Sequence, residues 1–299
     1  MFNPIYPMPV KRLLIFCAVL LSTFSLWGQR KGDTGSYFKV LDIPYAKLAK
    51  DPRLNALDIY MPKKGSKSPV IIWVHGGLWA FGDKSDVGVK PEYFTSKGYI
   101  FVSINHRLSP DVKHPGHMQD VAHALVWVYN NIVHYSGDRD KIFLMGYASG
   151  AQMSVMITVN EDYMKEAEGS LSMIKGVVSV DGLGFDVAKI IPDNNNKVKD
   201  WCLDTFGLTQ KEWEEASPVT HIKPGMVVPP IFLTYSGSKT PTESDAVNLA
   251  RKFKESDITI QIKGYPKKNS LSMHREFGRD DDPVTQDILT FLFECLKKL

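Results

Sequence analysis

Cysteine is scarce: three residues in a chain of 299. That excludes a disulfide-stapled scaffold. Charge of one sign is equally scarce. Lys and Arg number 36 against 33 Asp and Glu, a net +3, which offers neither a nucleic-acid groove nor a polybasic membrane patch. Internal repeats, low-complexity tracts and any linker long enough to separate domains are all missing. Apolar residues are not: at 43% of the chain they exclude a disordered polymer and call for a buried core.

One apolar run stands out. Lys11 and Arg12 precede Leu13 to Trp27, LLIFCAVLLSTFSLW, with Gly28 after it. A basic start, an apolar core of about fifteen residues and a small residue at its end predict a secretory signal peptide over 1–28. A membrane helix would need about 20 apolar residues. Cys17 lies mid-run, which disfavours a lipoprotein anchor. Cleavage leaves residues 29–299, nearly neutral and periplasmic or secreted, with no stable membrane insertion. Cys202 and Cys295 remain and could pair in an oxidising compartment.

Beyond that run, strand-like and helix-like segments alternate. YFKVLDIPY (37–45) and LNALDIY (54–60) read as early strands, and PVIIWVHGG (69–77) as a strand buried on both faces. YIFVSINHR (99–107), KIFLMG (141–146), IKGVVSVDG (174–182), PIFLTYSG (230–237) and ITIQIKGY (258–265) are further strands. Helical spacing appears over 117–135, from Gln152, over 242–255 and over 283–298. The pattern predicts an α/β fold: one domain, a mostly parallel central sheet, helices on both faces. Residues 183–228 have no sheet pattern and read as a cap inserted over the strand ends.

The glycine turn His75-Gly76-Gly77-Leu78-Trp79 after the third strand could aim backbone N–H groups at an oxyanion. With its context it becomes specific. LDIYMP (57–62), PVIIWVHGGLWAFGDKS (69–85), INHRLSP (104–110), QDVAHALVWVYNNI (119–132), GDRDKIFLMGYASGA (137–151), ASPVTHI (216–222) and GRDDDPVTQDILTFL (278–292) together resemble the α/β-hydrolase superfamily. The resemblance is to its secreted bacterial carboxylesterase and feruloyl-esterase-like branch, related to the hormone-sensitive-lipase type. It implies an α/β-hydrolase fold with a cap, no cofactor and no metal, and an oxyanion hole from the N–H groups of Gly77, Leu78 and Ser149. Leu78 stands where many relatives carry a third glycine.

The resemblance also implies a Ser-Asp-His triad, and here the chain departs from it three times. The elbow G-x-S-x-G reads Gly146-Tyr147-Ala148-Ser149-Gly150, with Ala148 at the nucleophile position. The acid motif G-x-x-D-P reads Gly237-Ser238-Lys239-Thr240-Pro241, with Thr240 for the carboxylate. The base loop reads Lys267-Lys268-Asn269-Ser270-Leu271-Ser272-Met273, with Ser270 for the imidazole. A methyl group cannot attack a carbonyl carbon, and a hydroxyl has no pKa suited to proton shuttling near neutrality. Glu243 and Asp245 read as solvated first-turn charges rather than a displaced acid.

The expectation is a pseudo-esterase that binds a small ester or acylated carbohydrate, or a protein partner. The rival is an active carboxylic ester hydrolase on a shifted pair, Ser149 as nucleophile and His274 as base. Trp79 and Phe81 would line the substrate side or pack beneath the cap. A metal site from His114, His117, Asp120 and His123 is a third possibility. Their spacing of three drifts around a helix, so a solvent-exposed helix face is the expected reading.

Overall fold

The computed structural model describes residues 30–193 and 197–298; the apolar run 13–27 and Cys17 lie outside them. Among the described residues nine strands form one sheet: β1 (Arg30–Asp33), β2 (Tyr37–Pro44), β3 (Ala56–Pro62), β4 (Ser68–Val74), β5 (Ile100–Ile104), β6 (Gly137–Tyr147), β7 (Ile174–Val180), β8 (Ile231–Ser236) and β9 (Gln261–Tyr265). The order is β1-β2-β3-β5-β4-β6-β7-β8-β9. β1, β2, β3 and β5 pair antiparallel, and every pair from β5–β4 to β8–β9 is parallel. The expected α/β-hydrolase architecture is present. β1 is an addition, a short strand with no legible alternation.

Side chains of a strand alternate between faces, and the sequence exploits this. On β4, Val70, Ile72 and Val74 enter one core while Ile71 and Trp73 enter the other. β6 divides Ile142 and Leu144 from Phe143 and Met145 in the same way. The helices Gly116–Asn131 and Ser149–Val159 cover the first face, and Lys90–Ser96 and Pro283–Leu296 the second. Among the described residues no helix is long and apolar enough to cross a membrane.

After β4 the chain crosses outward to β5, then returns so that β6 pairs on the other side of β4. Connections leave in opposite directions at this point, which opens a crevice at the strand ends. The glycine turn follows β4 and the elbow follows β6, so topology brings both to that crevice. The described residues between β7 and β8 form four short helices, Val187–Asp193, Lys197–Phe206, Gln210–Glu215 and Pro218–His221, and no strand. Cys202 and Cys295 are buried free thiols, so the pairing considered above does not form.

Candidate active site

The elbow, residues 146–150, forms a tight turn around Ala148, the residue at the nucleophile position of the resemblance. Ala148 has φ 50° and ψ −114°, a region that L-residues adopt only where their surroundings impose it. Close packing does so here. A β-carbon at Gly146 would lie 2.2 Å from the Gly150 carbonyl oxygen, and one at Gly150 would lie 2.2 Å from that of Val74. The Ala148 N–H is anchored on Val180 O at 3.1 Å. Ala148→Gly is therefore expected to stabilise the fold by about 1 kcal/mol, read from a urea midpoint; a lower midpoint would show that the methyl group's contacts outweigh the strain.

The glycine turn runs against this elbow. A β-carbon at Gly76 would lie 2.9 Å from Tyr147 O and 3.1 Å from the Ala148 methyl. Gly77 (φ 130°), Leu78 (φ 53°) and Trp79 (φ 58°) are all left-handed. Leu78 thus takes a glycine-like conformation in place of a third glycine. Ser149 begins the helix Ser149–Val159, so its N–H has no acceptor within the helix. The Ser149 side chain is buried, and its Oγ has no hydrogen-bond partner.

At the acid position Thr240 serves as a helix cap. Its Oγ1 accepts the Glu243 N–H at 3.2 Å and donates to Ser236 O at 2.8 Å. Asp245 corrects the expectation of a solvated charge. It is buried, accepting N–H groups of Gly184 at 2.7 Å and Phe185 at 2.9 Å, and burial raises its pKa to about 6. It shares a helix face with buried Leu249 and Phe253, a four-residue spacing that is readable in the sequence. A second carboxylate is not singled out by any motif. Asp181, directly after β7, is 0% exposed; its Oδ1 accepts the Ser236 N–H at 2.7 Å and its Oδ2 has no partner.

At the base position Ser270 is exposed and its Oγ lies 2.9 Å from Tyr147 Oη, which also donates to Ser270 O at 2.9 Å. His274, one turn on, packs its ring 4.7 Å from that of Tyr147, and its Nε2 lies 3.9 Å from Asp86 Oδ2. Its pKa falls to about 4 through burial, with the Lys90 charge adding to the effect. So weak a base removes protons poorly at neutral pH. Lys90 is itself buried; its Nζ donates to His274 O at 2.9 Å, and burial lowers its pKa to about 8. The structure brings together Ala148, Tyr147, Ser270 and His274, while Ser149 Oγ bonds to none of them.

Trp79 packs inward. It is buried, donates to Gln152 Oε1 at 3.1 Å and meets the Phe206 ring edge-on at 4.7 Å. Leu78, Trp79, Leu183, Gly184, Val187, Ile190, Cys202 and Phe206 enclose a cavity of about 10 Å³, barely room for one water. Phe81 points outward, 52% exposed, with Trp201 edge-on at 5.3 Å.

The histidine series is not an exposed face. His117 and Asp120 are fully buried, the latter paired with Arg107 at 2.8 Å. His114 Nε2 contacts Tyr163 Oη at 3.3 Å, and His123 is half-buried. Among the described residues no group of three or more His, Cys, Asp or Glu side chains could hold a metal ion. His117 instead extends a stack under the glycine turn: His75 and His106 lie 4.4 Å apart, and His106 and His117 6.0 Å apart.

Sheet order, elbow and glycine turn define an α/β-hydrolase-fold protein of the esterase class. The chain belongs to the BD-FAE family, whose model matches residues 57–243. It is similar to Esterase LipQ of Mycobacterium tuberculosis, 27% identical over 227 residues, which are 70% of this chain and 51% of that protein. It is also similar to Isoprenylcysteine alpha-carbonyl methylesterase ICME of Arabidopsis thaliana, 26% identical over 219 residues, 68% of this chain and 50% of that protein. The chain thus spans about half the length of these curated relatives. Esterase B from Lactobacillus rhamnosis superposes with a TM-score of 0.74 at 19% identity, covering 91% of this chain and 90% of that one. A truncated carbohydrate esterase from gut microbiota gives a TM-score of 0.74 at 19% identity, covering 89% and 99%. At such identities the two structures speak to the fold alone.

Proposed function

We propose that this protein is an exported pseudo-esterase: a member of an esterase family that binds a ligand at the former catalytic crevice and does not turn it over. The observation that carries this reading is Ala148, held at φ 50° and ψ −114° where an attacking hydroxyl would be presented. Two further features support it. The Ser149 hydroxyl is buried without a hydrogen bond to any base, and the His274 imidazole is weakly basic. With the inner cavity closed around Trp79, the ligand's contacts fall on the outer side, where Phe81 and Trp201 offer an aromatic pair and Tyr147 and Ser270 offer hydroxyls. A small ester or an acylated carbohydrate suits aromatic rings combined with hydroxyls; a protein partner is the alternative occupant. Export rests on the basic-then-apolar pattern of residues 11–27.

The test is steady-state hydrolysis of short-chain 4-nitrophenyl esters by the mature protein beside its Ser149→Ala variant. Both are expected to match the uncatalysed rate. Turnover that disappears in Ser149→Ala would replace this reading with an active, shifted hydrolase.

A further inference from the structure

Buried polar atoms without partners are uncommon in native proteins, and each calls for an explanation. Two of those at the elbow end of the sheet are Ser149 Oγ and Asp181 Oδ2. The carboxyl oxygen is the more consequential, because burying it without a hydrogen bond costs more than burying a hydroxyl in the same way.

Asp181 is placed between two of the three altered positions, Ala148 after β6 and Thr240 after β8. β7 lies between β6 and β8, with Val180 opposite Tyr147 on one side and Thr234 on the other. Asp181 is the next residue. Its N–H donates to Thr234 O at 2.9 Å and its Oδ1 accepts the Ser236 N–H at 2.7 Å. Thr240 Oγ1 holds the carbonyl of that same Ser236. The carboxylate missing at position 240 thus has a counterpart across Ser236. On the other side, Asp181 is near enough to Tyr147 for its charge to raise the phenol's pKa, after the larger effect of burial. Tyr147 in turn holds Ser270, at the base position, through its phenol oxygen.

We propose that Asp181 is the retained acid of this site: a carboxylate one strand earlier than the family's, with its free oxygen available to an imidazole at position 270. This rests on the pseudo-esterase reading and sharpens it, since the chain then lacks two catalytic groups, at Ala148 and Ser270, rather than three. A purely structural role would have Asp181 there for its φ of 50° and its bond to Ser236. Asn tolerates that backbone region and offers the same acceptor oxygen, so Asp181→Asn removes the charge and little else.

Two measurements on the full chain follow. In Ser270→His, the introduced imidazole's pKa is read by NMR with and without Asp181→Asn; the carboxylate is expected to hold it higher by about one unit or more. In Ala148→Ser/Ser270→His, 4-nitrophenyl ester hydrolysis is expected to appear. The introduced hydroxyl adds to the carbonyl carbon and passes its proton to the imidazole. The ester C–O bond then breaks, the alcohol leaves with that proton, and water releases the acid and restores the hydroxyl. The rate should lie within about tenfold of the variant that also carries Thr240→Asp, and adding Asp181→Asn should lower it about 100-fold or more. An unmoved imidazole pKa overturns the inference, as does turnover that needs Thr240→Asp or no turnover in either variant. Because position 270 is exposed, the NMR comparison holds even where the rebuilt elbow folds poorly. Hydrolysis by the unaltered chain would instead contradict the pseudo-esterase reading and leave the Asp181 pKa comparison standing.

Discussion

Gly150→Ala is expected to lower the unfolding free energy by about 3 kcal/mol, measured by urea denaturation. The new β-carbon would sit 2.2 Å from Val74 O and 2.5 Å from His75 O. Both belong to backbone at the end of β4, which cannot rotate aside as a side chain would. The helix Ser149–Val159 would have to lift from the sheet, taking the elbow with it. Gly98→Ala separates this clash from a simple conformational effect: Gly98 has φ 86° and nothing within 4 Å of a β-carbon, so its loss should be about 1–2 kcal/mol. A cost at Gly150 no greater than at Gly98 would mean that the helix does not press on β4 as described.

The second large effect concerns acid. An ordinary histidine titrates near pH 6.5. Burial lowers His117 to about 3 and His114 to about 4, takes His106 well below its usual value and lowers His75; His274 falls to about 4. These groups stay neutral in the fold and bind protons when it opens. Their contribution is therefore complete above pH 6.5 and is lost as pH falls through about 4 for His114 and His274 and about 3 for His117. Asp245, raised to about 6, and Asp120, also raised, act with the opposite sign, because the folded state holds their protons more tightly. The histidines outnumber them. Net uptake of about three protons on unfolding near pH 5 is expected, a slope of about 4 kcal/mol per pH unit. A flat stability profile between pH 6.5 and 4.5 would contradict the burial of the His75–His106–His117 stack.

Much of the fold is legible in the sequence because its signals are local. Apolar runs ending in glycine mark β4, β6 and β7, and the two elbow glycines mark the turn whose tightness Gly146 and Gly150 enforce. Boundaries move where tertiary contacts decide them. The helix after the elbow begins at Ser149 rather than Gln152, and β9 covers only Gln261–Tyr265. The assignment of Ala148, Thr240 and Ser270 to triad positions rests on family resemblance alone, since nothing in composition or periodicity distinguishes Ala148 from a serine.

What escapes such reading is charge held in the interior. Asp181 looks like the polar end of a strand, and Lys84 like one more surface lysine. Yet Lys84 is 6% exposed, with its Nζ 2.8 Å from Asp42 Oδ1 and 2.6 Å from Asp58 Oδ1, which ties the loop after the glycine turn to the early strands. His117 and Asp120 look like an exposed helix face, yet their helix, Gly116–Asn131, lies deep enough in the fold to bury polar positions as well as apolar ones. Such partners are far apart in sequence, so no local pattern announces them.

Under the proposed reading, the elbow and the glycine turn keep their strained geometry around Ala148 and carry no nucleophilic hydroxyl. Intact-mass measurement of the protein after exposure to a fluorophosphonate tests that claim most directly, because the reagent reports an activated serine whatever the natural ligand is. The protein is expected to retain its unmodified mass, while Ala148→Ser/Ser270→His gains one adduct at position 148. An adduct on Ser149 of the unaltered chain would contradict the loss of nucleophilic chemistry.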